Sequence, residues 1–258
     1  MTLGRRTIQS DANALQPYLN KSTVGRAYNM FLALPQLRGF WPMSSIDDAF
    51  AAYDLSKQGR TLTATSLTAA SFGVKNIMPY TTYDGSADYH SRADEAGMDI
   101  ASSMTMGCWF SPTTTPTGTS EVIMGKDGTG GGNDEAYSIW RQATSGQIRA
   151  HMSDDGATTY QVNNTTTVPV AGSWYFLVLR FVPSTSVDSY VNNEKKSNTS
   201  SIPATIYNTS EGFAIGARHP SSAQRFMNGD ISLAFICAAS LTDSHIAALY
   251  NATKGLFK

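Results

Sequence analysis

The sequence predicts an all-β fold, an antiparallel sandwich or jelly roll closed by a short C-terminal helix. Three observations predict it. Short apolar or alternating runs recur about every ten residues, the spacing of sandwich strands. Turn-forming pairs separate them, as at Asp127-Gly128, Asp155-Gly156, Asn192-Asn193 and Asn228-Gly229. Charged residues make up only 15% of the chain, so Ser, Thr, Asn and Gly supply the polar character, which suits neutral outer strand faces and many turns.

The 258 residues are enough for one large domain with a substantial core, and no repeat of solenoid length divides them. Residues 1–37 differ from the rest. A helix opens at Ser10-Asp11, and Pro17 could sit in its first turns or break it. Ser22 to Leu34 predicts a second helix with Val24, Tyr28, Phe31 and Leu32 along one side, closed by Pro35. We therefore divide the chain into a partly helical arm, 1–37, and a sandwich, 38–258.

The strands are predicted at 39–42, 61–65, 89–91, 104–110, 120–126, 137–141, 147–152, 158–162, 174–182, 186–191, 194–197, 212–215 and 227–238. Thr242 or Asp243 caps the final helix, whose apolar side is Ile246, Leu249 and Tyr250. Alternation groups Cys108 with Met104, Met106 and Phe110, and Cys237 with Ile231, Leu233 and Phe235. Both cysteines are expected as free, buried core residues. If their strands pair, the thiols could come close, and a disulfide is possible but not required.

Charge and motifs narrow the function. The net charge is −1, with no global pull toward nucleic acid or anionic lipid. Residues 1–38 hold five basic residues and one acid, a surplus of four, leaving −5 for the remainder. A basic arm on an acidic body suggests docking, and Arg5, Arg6, Tyr18, Arg26, Tyr28 and Phe31 are the candidate contacts. The N-terminus shows no signal-peptide pattern, and no apolar run is long enough to span a membrane. His90, His151, His219 and His245 are scattered and expected at the surface or in turns, without a nucleophile elbow or zinc spacing. Ser153-Asp154-Asp155-Gly156 is expected to be a hairpin turn. Among aromatics that could stack on a sugar, Tyr83, Tyr137, Trp140 and Tyr160 lead, with Tyr80, Tyr190 and Tyr207 behind them.

The order of landmarks adds a resemblance. Gly39-Phe40-Trp41-Pro42-Met43 is followed by Asp54-Leu55-Ser56-Lys57-Gln58-Gly59, then Asp84-Gly85-Ser86-Ala87-Asp88-Tyr89, Trp174-Tyr175-Phe176, and Gly229-Asp230-Ile231 before the last helix. This succession resembles the laminin-G-like jelly roll of the concanavalin A-like lectin/glucanase superfamily. Lys57 stands where that family usually has Gly, and Ser232-Leu233 replaces its closing Asp-Glu pair. The resemblance implies a module that binds or builds. The Glu-x-Asp-x-x-Glu run of its glucanases is missing, so no catalytic residues and no enzyme are expected. It also implies a possible Ca²⁺ at Asp54, Gly59 and Asp84, with Asp230 a weaker ligand; otherwise Asp54 and Asp84 are turn formers.

Arg38-Gly39-Phe40-Trp41-Pro42-Met43 behind a long arm is also similar to jelly-roll proteins of tailed phages. That implies a virion structural component on head or tail, made in the host cytoplasm and partnered by other virion proteins or by copies of itself. The alternative is a carbohydrate-binding receptor or adhesion module on an extracellular surface, with host glycan as partner.

Overall fold

The computed structural model describes residues 22–44, 47–114, 118–128, 134–218 and 223–258. The expectations for Arg5, Arg6, Tyr18, His219 and the helix opening at Ser10 lie outside these residues. The described chain is a two-layer antiparallel sandwich. It begins with helix α1 (Thr23–Leu32), β1 (Leu37–Trp41), β2 (Thr63–Thr65), β3 (Phe72–Lys75), β4 (Met78–Asp84) and β5 (Tyr89–Arg92). Next come β6 (Met104–Pro112), β7 (Glu121–Asp127), β8 (Glu135–Arg141), β9 (Ile148–Ser153), β10 (Thr159–Asn164) and β11 (Tyr175–Val182). It ends with β12 (Ser186–Val191), β13 (Glu194–Asn198), β14 (Phe213–Ile215), β15 (Asn228–Cys237) and helix α2 (Asp243–Thr253).

One sheet has eight strands in the order β13-β12-β11-β6-β15-β4-β3, with β1 also on β15. The other has seven, β10-β9-β8-β7-β14-β5-β2. Between them lies one core, including Trp41, Met106, Cys108, Phe110, Ile139, Leu179, Phe213 and Ile231. A second apolar layer covers the outer face of the eight-stranded sheet. There α1 and α2 pack Ala27, Phe31, Ile246 and Leu249 against Phe40, Trp109, Phe176 and Phe235.

The opening motif shows how residues set these layers. Strand side chains alternate between faces, so Trp41 enters the inner core and Phe40 the outer one. Gly39 makes room, because a Cβ there would overlap the Trp41 ring. Trp41 Nε1 donates to the Arg60 carbonyl at 2.7 Å, and its ring stacks on Phe213. Phe40 receives Phe31 of α1 face to face, centroids 5.0 Å apart. Thus Phe31 and the half-buried Tyr28 pack on their own sandwich and are not free for a partner; Arg26 remains exposed.

Strands β3 and β4 were not anticipated. Gly73, Asn76 and Pro79 punctuate that stretch, yet Val74↔Pro79 and Lys75↔Met78 pair across a tight hairpin; β3 is the edge strand, and Pro79 lies outside the stretch of β4, Thr81–Asp84, that pairs with β15. The alternation expected for Cys237 also fails at one point. A bulge in β15 falls between Ser232 and Phe235, with Leu233 at φ 49°. The extra residue switches faces, so Ile231 points inward while Leu233, Phe235 and Cys237 point outward. Cys108 and Cys237 are therefore free, buried and on opposite faces of one sheet, although β6 and β15 do pair.

Candidate functional site

The outer face of the eight-stranded sheet carries an aromatic ledge beside a polar strip. Register fixes both. Phe176 faces Trp109 across β11–β6, Trp109 faces Ser232 across β6–β15, and Tyr80 faces Gly73 across β4–β3. One row further along, Ser111, Asp230 and Thr82 lie in register on β6, β15 and β4. Trp174 immediately precedes β11 at that end, and its ring meets Tyr80 edge-on at 5.6 Å.

Three contacts hold the ledge. Tyr80 lies across Gly73, whose hydrogen leaves the space the ring occupies. Phe257 stacks on Trp109 at 4.5 Å and supports Trp174 at 4.9 Å. Asn76 Nδ2, in the β3–β4 turn, donates to the carbonyls of Leu256 at 3.1 Å and Lys258 at 2.9 Å, anchoring the segment that carries Phe257. Trp109 is only 2% exposed and donates Nε1–H to Thr253 of α2 at 2.9 Å, so it is the floor. Tyr80, Trp174 and Tyr250 are half-buried and reach solvent. Asn192 and Lys254 border a depression of about 160 Å³ among these rings. Asp230 accepts from the Thr82 hydroxyl at 2.7 Å. Burial raises its carboxyl pKa against that hydrogen bond.

The aromatics favoured from sequence are elsewhere. Tyr83 is 0% and Tyr137 1% exposed; their hydroxyls meet His90 Nδ1 and the Met98 carbonyl, both at 2.8 Å. Their faces are buried in the core and cannot stack on a ligand. Trp140 does point outward from the seven-stranded sheet but is 8% exposed, because Arg218 lies over its ring at 5.2 Å. Tyr160 packs against the inner core, and Tyr190 is buried with its hydroxyl on Asp243. Trp174 and Tyr250 were missed as site residues. A Trp at a loop-to-strand junction was the available signal.

Arg218 belongs to a buried polar network. It binds Asp127 Oδ1 at 3.1 Å and Glu135 Oε1 at 2.6 Å, and Ser138 links Asp127 to Trp140 Nε1. His151 Nε2 is 3.2 Å from Glu135 Oε2. Burial raises the Asp127 carboxyl, with His151 and Arg218 opposing it. Burial also acts on Glu135, but there the same two partners outweigh it and hold the carboxyl low. His90 and His151 are thus interior residues and not surface ones; His245 is exposed on α2.

Asp54 and Asp84 organise turns. Asp54 accepts from the backbone N–H of Phe40, Ser56 and Arg60 at 2.8–3.0 Å, and Gly59 (φ 72°) lets the chain turn back to it. Asp84 accepts from Ser86, Ala87 and Asp88 N–H. Burial pushes its carboxyl up, but these donors and the Ser86 hydroxyl bring it down to about 2. Asp54 and Asp84 thus serve as turn formers, the other role expected of them. Among the described residues no three His, Cys, Asp or Glu side chains gather as metal ligands. Asp155 likewise closes its hairpin by accepting from Ala157 and Thr158.

Comparison with known proteins agrees with this architecture. No curated protein matches the chain. Its fold is similar to the binding domain of Paraclostridial Mosquitocidal Protein 1, with TM-score 0.64, 12% identity, and coverage of 84% of this chain and 52% of that one. It is equally similar to the receptor-binding domain of botulinum neurotoxin C/D mosaic serotype, at TM-score 0.64, 11% identity and coverage of 84% and 51%. A third similar structure is the botulinum neurotoxin serotype D ligand-binding domain in complex with N-acetylneuraminic acid, at TM-score 0.60, 10% identity and coverage of 87% and 52%. The chain spans about half the length of these domains, and at such identities the likeness is one of fold. A family model, Laminin_G_3, matches residues 84–247. The two-sheet sandwich, its ordered turn motifs and that match place the chain in the concanavalin A-like lectin/glucanase superfamily.

Proposed function

We propose that this chain is a non-catalytic receptor-binding module that takes carbohydrate on the ledge formed by Tyr80 and Trp174. The observation that carries it is two solvent-reaching rings held at a fixed angle beside the Asp230 carboxylate. Pyranose C–H faces pack on aromatic rings, and their hydroxyls donate to carboxylates. The rings are supported by Phe257 and Gly73 before any ligand arrives, so little ordering cost remains. The sandwich neighbours, named as receptor- and ligand-binding domains, support a binding role.

The test is a glycan array followed by tryptophan-fluorescence titration of any hit. Trp174→Ala and Tyr80→Ala should each weaken binding about tenfold or more, roughly the worth of one lost stacking contact plus its buried area, with thermal stability nearly unchanged. Equal binding by Trp174→Ala, or an array with no hit, would reject the ledge.

A second reading is a virion surface component anchored through residues 1–37. The surplus of four positive charges in residues 1–38 favours it. Sedimentation of the full chain beside a version starting at Ser22, which keeps α1 packed on the sheet, separates the two: loss of assembly on truncation supports anchoring, while glycan binding that survives truncation supports the receptor module.

A further inference from the structure

A second recess lies on the other sheet, at the edge formed by β2 and β5. It measures about 370 Å³ and is lined by Thr61, Thr63, Ser91, Arg92, Asp94 and Glu95. That volume falls within the usual range for small-ligand pockets, about 300–1,000 Å³. No aromatic or large aliphatic side chain lines it, so neither a lipid tail nor an apolar peptide side chain suits it.

Its charged groups are already paired and fixed. Arg60 grips Glu95 Oε1 at 2.6 Å and Arg92 grips Oε2 at 2.8 Å. Arg60 also donates to the Arg38 carbonyl and lies across Gly97, where a Cβ would overlap its guanidinium. Behind the groove, Lys126 is 1% exposed and binds Asp94 at 2.7 Å and Asp99. Three cations thus face three carboxylates, and the groove offers no net charge to an ionic ligand.

What the protein leaves to solvent in the groove is hydrogen-bonding capacity. Thr63 and Ser91 stand opposite each other in register across β2–β5, and neither hydroxyl has a partner among the described residues. Arg92 Nε is buried without an acceptor. Asp94 gives one oxygen to Lys126, and its side chain is 37% exposed. Two neighbouring hydroxyls and a pinned carboxylate that reaches solvent, in a neutral setting, match adjacent hydroxyls of an uncharged sugar, each of which both donates and accepts.

We infer that this groove is a second binding site, for a neutral, hydroxyl-rich saccharide. It is separate from the Tyr80–Trp174 ledge and does not rest on it. Binding here comes from hydrogen bonds without stacking, so it is weak and selective for hydroxyl arrangement.

The test is a ¹⁵N-NMR titration of the full chain with maltose, lactose and, as a charged control, N-acetylneuraminic acid. The Arg92 Nε–H peak and the amides of Thr63 and Ser91 should shift saturably with at least one neutral disaccharide. A Thr63→Val, Ser91→Ala double variant should weaken that response about tenfold, the loss of roughly two hydrogen bonds. Trp174→Ala should leave it unchanged, which separates this site from the ledge. Thermal melts check that both variants stay folded. The inference is overturned if no neutral sugar moves these peaks, if the charged sugar binds more tightly than the neutral ones, or if the double variant responds like the parent.

Discussion

His90 shows how one buried side chain carries a pH dependence for the whole protein. Its Nε2 faces the Phe50 carbonyl and its Nδ1 faces the Tyr83 hydroxyl, both at 2.8 Å. A neutral ring donates to the first and accepts from the second. Burial pushes its pKa from 6.5 down to about 4, with the Phe50 carbonyl opposing. Between those values the unfolded chain binds a proton that the folded one does not. Stability is therefore fully present above the unfolded pKa and falls as pH drops toward 4, by about 3 kcal/mol in total. Denaturant unfolding at a series of pH values should show this slope, and His90→Gln should flatten it. Lys57 makes a smaller point. It sits at φ 68°, where a side chain is strained. The family's usual Gly avoids that strain, so Lys57→Gly should raise stability by about 0.5–1 kcal/mol after the entropy cost of glycine. The turn was legible in the sequence, and so was the odd residue in it.

At the scale of elements, patterning located most of the fold. The helix starting after Ser22, the strand at 186–191 and the cap at Thr242 lie where propensity and capping place them. What alternation could not reveal was a change of parity inside a strand. The bulge at Leu233 leaves no sequence mark, because Leu is a poor residue for that backbone, yet it decides which way Cys237 faces. Both thiols should resist a thiol reagent until the protein unfolds, then react together with no reductant needed. Burial pushes the Cys237 thiol up to about 12 and Cys108 further, which keeps each protonated. The ledge was equally hidden. Tyr80 is distinguished from Tyr83 only by strand face, and β4 itself went unrecognised. Gly73→Val should displace Tyr80, costing about 1–3 kcal/mol by overpacking and lowering any affinity of the ledge with it.

For the whole molecule, one surface of the eight-stranded sheet is divided between stability and exposure. The helices seal its middle, and the aromatic rings emerge where they end. Phe31 contacts both Phe40 and Phe235, at 5.0 and 5.2 Å. Phe31→Ala should cost about 3–5 kcal/mol by cavity formation, seen as a lowered denaturation midpoint with native spectra. Residues 22–37 are thus structurally part of the sandwich. The sequence separated them as an arm because a helix period interrupts the β pattern there, and composition does not reveal what a helix packs on.

The order of assembly follows from where β15 lies. It pairs with β6 on one side and with β4 and β1 on the other, so the last described strand lies inside the larger sheet. While residues up to about 227 emerge from a ribosome, the edges of β1, β4 and β6 stand open around a vacant position. Such edges invite pairing with other chains. Completion of the sheet waits for Asn228–Cys237, and this distant pairing favours slow folding. Nascent chains halted before β15 should be protease-sensitive and prone to associate, whereas emergence of β15 closes both edges in one step.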